Sequence, residues 1–61
     1  MGHFEDLKDE AREKLSHVWE FVRYDNREVT NYGNDFHCFD WTGMEFNTED
    51  LETALQFLFP E

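Results

Sequence analysis

Lysine and arginine are missing from the last 34 residues of this 61-residue chain. From Glu28 to Glu61 there are eight acids and no base, whereas Lys8, Arg12, Lys14, Arg23 and Arg27 all lie in the first 27 positions among seven acids. The first part therefore carries −2 and the remainder −8 of a net charge of −10. A surface of one sign repels nucleic acid and anionic membrane and attracts basic proteins or cations. Direct binding of DNA or RNA is not expected, and neither is a membrane partner.

Other residue types are scarce as well. One cysteine, Cys38, excludes an intramolecular disulfide framework and a multi-cysteine zinc site, which fits a reducing compartment. The start, MGHFEDLKDE, lacks the basic and apolar segments of a secretory signal, and no apolar run nears the roughly 20 residues that span a bilayer. A cytoplasmic protein is expected. There is no Gly-rich phosphate loop and no D-x-D-x-D-G calcium loop, and the lone serine, Ser16, falls inside a helical stretch. No catalytic residue, cofactor or metal site is expected, and the protein is read as a non-enzyme.

Aromatic side chains are plentiful: seven Phe, two Trp and two Tyr. A single domain of this size buries only about 60% of its unfolded surface. Either the core is unusually aromatic or part of that surface meets a partner.

The pattern predicts one α+β domain over 1–61, α-β-β-β-α, with a three-stranded antiparallel sheet and two helices packed on one face. Phe4, Leu7, Ala11, Leu15, Val18 and Val22 follow helical spacing, which predicts a first helix over about 4–24. REVTNY suggests a strand over about 27–32, FHCFDW one over 36–41 and MEF one over 44–46. A second helix is expected over about 48–58, capped by Asn47, with a buried stripe of Leu51, Ala54, Leu55 and Leu58.

A two-residue turn at Thr42-Gly43 would set Asp40 opposite Glu45 and Phe39 opposite Phe46. His37, Phe39, Trp41, Met44 and Phe46 would then face the core, leaving Phe36, Cys38, Asp40 and Glu45 outside. For the first hairpin, a three-residue loop at Gly33-Asn34-Asp35 is favoured over a two-residue one, because it turns Val29 and Asn31 inward and keeps Glu28 outside.

His37 and Cys38 are adjacent in a strand and point to opposite faces, so they cannot share one ion. His3 and His17, both read on the first helix, lie about 21 Å apart along it, too far to chelate together. The remaining candidate is an acidic docking surface formed by Glu28, Asp35, Phe36, Asp40, Glu45, Glu49, Asp50 and Glu52, with Phe36 as its apolar anchor. The expected function is a small acidic inhibitor that docks on a basic, nucleic-acid-binding protein and presents carboxylates where phosphates would lie. In size and charge the chain resembles, as a class, the short acidic proteins that phages and mobile elements use against host nucleic-acid machinery. The alternatives are a homodimer that buries Phe21, Phe36, Phe57 and Phe59 between copies, or a small-ligand protein with Trp41, Tyr32 and His37 as stacking walls.

Overall fold

The protein is described by a computed structural model over residues 4–60; His3 lies outside the described residues. Its elements run α1 (Glu5–Leu15), β1 (Phe21–Tyr24), β2 (Arg27–Asn31), β3 (Phe36–Asp40), β4 (Glu45–Thr48) and α2 (Leu51–Leu58). The four strands form an antiparallel meander in the order β1-β2-β3-β4. Ala11 and Leu15 of α1, Val29 and Cys38 of the sheet, Ala54, Leu55, Phe57 and Leu58 of α2, and Phe59 beyond it form one buried cluster.

The extra strand comes from the end of the expected first helix. α1 stops at Leu15 because Asn31, only 9% exposed, reaches it from β2: Asn31 Nδ2 donates to the Leu15 carbonyl at 2.7 Å. The backbone of Asn31 also pairs with the residues after the helix, its N–H donating to the Glu20 carbonyl at 2.9 Å and its carbonyl accepting from Trp19 N–H at 2.6 Å. Phe-Val-Arg-Tyr is then drawn into a hairpin with β2 across Asp25-Asn26, where Asp25 adopts φ 58. Helical spacing at Val18 and Val22 was a coincidence of sequence: Val18 is exposed, and Val22 packs on the core from a strand. Local pattern lost to tertiary pairing.

β3 is also turned over relative to expectation. The β3–β4 loop is Trp41-Thr42-Gly43, closed by Gly43 N–H on the Asp40 carbonyl and by Asp40 N–H on the Met44 carbonyl at 3.0 Å, with Gly43 at φ 110. That is a turn followed by a glycine bulge, the common three-residue hairpin, and it avoids the positive φ that a two-residue turn would impose on Thr42. Phe39 consequently faces Glu45, and Cys38 faces Phe46. A one-residue slip exchanges the faces of a strand. Phe36 and Cys38 therefore turn to the core, while His37 and Phe39 turn away from it. Because the Cβ position of Gly43 is open, with nothing within 4 Å, Gly43→Ala tests the backbone alone. It should cost about 1–2 kcal/mol by urea denaturation, with no cavity or clash to share the loss.

The first hairpin has the register of the two-residue loop, with Asn31 opposite Phe36 and Thr30 opposite His37. Val29 and Asn31 are nevertheless the inward pair, since β3 itself is inverted. At the far end, α2 begins later than expected. Asp50, not Asn47, is its N-cap, accepting from Thr53 N–H at 3.2 Å and Thr53 Oγ1 at 2.6 Å.

Candidate functional site

The registers sort the strand residues into two faces. One carries the cross-strand row Val22, Val29, Cys38, Phe46 against the helices. The other carries the rows Phe21, Thr30, His37, Asn47 and Arg23, Glu28, Phe39, Glu45. Among the described residues the buried side chains of both helices belong to the core cluster on the first face, and we call the second the open face.

Five rings run across it in unbroken contact. Trp19 meets Tyr32 edge-on at 5.3 Å, Tyr32 lies 6.0 Å from His37, His37 stacks on Phe39 at 5.7 Å, and Phe39 lies 5.2 Å from Trp41. The ends of this strip are the most solvent-exposed: Trp19 is 66% accessible and Trp41 56%, with Met44 beside the β3–β4 turn at 54%. A shallow depression of about 250 Å³ between the strip and that turn is lined by His37, Phe39, Asp40, Gly43, Met44 and Glu45. Trp41, Tyr32 and His37 thus share a face, as an open strip and not as the walls of an enclosed pocket.

Polar groups accompany the rings. The Arg23 guanidinium lies over the Trp41 ring, 5.2 Å from its centroid, and pairs with Glu28 at 3.1 Å. His37 Nε2 and Glu45 Oε2 are 2.6 Å apart. Asp35 Oδ2 accepts from Asn47 Nδ2 at 3.1 Å, beside His37 in the ladder.

The expected docking residues do not converge on one surface. Glu28, Asp35 and Glu45 border the open face. Asp40 does not face Glu45. It is buried on the helix side, where Oδ1 accepts from Thr42 N–H at 2.9 Å, Thr42 Oγ1 at 2.6 Å and Met44 N–H at 3.1 Å. Phe36 packs against the core. Asp50 caps α2, Glu52 takes a two-pronged contact from Arg12 of α1 at 3.1 and 3.2 Å, and Glu49 is exposed just before the cap. An ordered row of carboxylates therefore does not form from this set. Phe39, expected in the core, and Phe21, expected only in a contact between copies, lie on the open face, and Trp19, to which the sequence assigns no role, joins the strip there. No local signal marked Trp19, which, four residues after Leu15 and three before Val22, would border the apolar stripe of the expected helix.

The hydrogen bond from the Thr42 side chain, followed by those from the Met44 and Thr42 backbones and the nearby Arg27 charge, holds the Asp40 carboxyl below its ordinary value of 3.8, against the opposing effect of burial. The unfolded chain thus takes up this proton at higher pH than the folded chain. The stabilisation is complete above 3.8 and is lost as pH falls through the lower folded value. Asp40→Ala should lower the melting temperature at neutral pH, and its gap from wild type should narrow as pH falls below 3.8. A gap that stays constant with pH would show that the turn does not depend on the charge. Burial pushes the Cys38 thiol up to about 11, which makes it a core side chain and not a nucleophile.

Among the described residues no group of three His, Cys, Asp or Glu side chains is placed to hold a metal, and no helix is long and apolar enough to cross a membrane. Compared with known proteins, the chain matches no family model, no curated sequence and no solved structure.

Proposed function

We propose that this is a small acidic binding protein that docks the open face of its sheet on a basic surface of another protein, most concretely as an inhibitor seated on the groove of a nucleic-acid-binding protein. The observation that carries the reading is the exposed strip from Trp19 to Trp41 in a chain of net charge −10. Aromatic residues on an uncovered face are the usual anchors of protein interfaces, because they bury large area with few rotatable bonds. Glu28, Asp35 and Glu45 at the margin select the sign of the partner and speed its approach. Charge argues against two other occupants that also favour rings. Nucleic acid would stack on them but is repelled by the surrounding acids. A second copy would bring its own net −10 to the contact.

The test uses two columns, one with the wild-type protein and one with the double variant Phe39→Thr, Trp41→Ala, each loaded with bacterial lysate. The expected result is a basic protein held by the wild-type column alone and released by salt or by competing DNA. Equal retention on both columns would remove the open face from the interaction. Sedimentation velocity completes it: a monomer is expected, and a dimer abolished by the same two substitutions would replace this reading with self-association.

A further inference from the structure

We propose that the Trp19–Tyr32 ring pair, flanked by His37 and Asp35, is the subsite that receives one arginine or lysine side chain of the basic partner protein. This rests on the reading of the open face as a docking surface and specifies the chemistry that the partner must present there.

The chain supplies a cation to three of its other rings. Lys14 lies 5.6 Å from the Phe21 centroid, Arg23 lies 5.2 Å from that of Trp41, and Arg27 lies 4.9 Å from that of Phe57. At Trp41 the arrangement is complete, with a guanidinium held between a ring and the Glu28 carboxylate. The opposite end of the strip repeats the ring and one carboxylate, that of Asp35, but not the cation. Trp19 and Tyr32 meet edge-on, at 87°, a contact that occupies one face of one ring only. Asp35 closes the hairpin against Tyr32, its carbonyl accepting from Tyr32 N–H at 2.9 Å, whereas Glu45 meets the strip at its middle, through His37. Among the described residues no lysine or arginine pairs with Asp35 or Glu45, and Arg12, Lys14, Arg23 and Arg27 are each engaged elsewhere.

The backbone adds an independent argument. Trp19 sits at φ 71, a conformation that glycine adopts freely and a bulky side chain does not. Its N–H bond to the Asn31 carbonyl needs no side chain at all. A ring kept at a position that disfavours it, and left 66% exposed, is not explained by stability. An arriving cation explains it, since a charged group over an aromatic face beside a carboxylate gains from both.

The experiment is a titration of the ¹⁵N-labelled protein with octa-arginine at about 0.15 M salt, following the two indole N–H signals of Trp19 and Trp41. The Trp19 indole and the Tyr32 and His37 amides should shift saturably. Trp19→Gly should bind the peptide about threefold to thirtyfold more weakly, the worth of one cation–π contact, while melting no lower than wild type. Tyr32→Ser provides the same comparison should Trp19→Gly not fold. If Trp41 and Phe39 shift instead, and Trp19→Gly binds as wild type does, this subsite falls while the docking face stands. If shifts are confined to the acids of α1 and the open face is silent, the docking reading itself fails. Tighter binding of a single-stranded oligonucleotide than of octa-arginine at these same signals would overturn the assignment of the occupant.

Discussion

Phe59→Ala is expected to leave the chain largely unfolded at 25 °C. Phe59 is 2% exposed and sits just past α2, with its ring 5.5 Å from that of Phe4 and 4.9 Å from that of Tyr24. It thus joins the end of the chain to the start of α1 and to the edge strand β1. Truncating a buried phenylalanine costs about 3–5 kcal/mol, and a core in a chain this short supplies about the same total. Few neighbours can move in to refill the space, because Leu15, Leu55 and Leu58 are already fully packed. The measurement is circular dichroism against urea. A variant that still unfolds cooperatively, with less than about 2 kcal/mol lost, would show that the α2 end is peripheral and that the core is centred on Val29 and Cys38.

How much of this was legible beforehand can be traced residue by residue. The stripe of Leu51, Ala54, Leu55 and Leu58 announced α2, and three of its four members are fully buried. Ala11 and Leu15 announced α1 equally well. What was not legible was the point at which α1 stops, because Asn31, sixteen residues further on, imposes it. No local propensity reports a capping group that arrives from another strand. The face of β3 was hidden for a related reason. FHCFDW places apolar side chains on both faces, so its pattern cannot choose between them, and the choice fell to a turn whose length differs by one residue. The acid expected to define the docking surface, Asp40, is the group that stabilises that turn. Aromatic surplus and charge asymmetry survive this inversion, since neither depends on register.

The second large effect separates the two aromatic sets of the molecule. The double variant Phe39→Thr, Trp41→Ala should weaken capture of the proposed basic partner by at least about a hundredfold, because each interface anchor is worth about 2 kcal/mol or more. Its stability should fall by only about 1–2 kcal/mol, which is the ring-pair contact and a partly covered face. Threonine preserves strand preference at position 39, and Arg23 keeps Glu28 at 3.1 Å once the Trp41 ring is gone, so no charge is orphaned. Phe46, on the opposite face and packed edge-on against Phe57 at 5.3 Å, provides the inverse case. Phe46→Ala should lower stability more than the double variant does, yet leave the affinity of the molecules that remain folded unchanged. Urea denaturation and partner titration on these two proteins place each ring on one side of the sheet. If the double variant loses more stability than Phe46→Ala and no affinity, then Phe39 and Trp41 are core residues and the open face has no docking role.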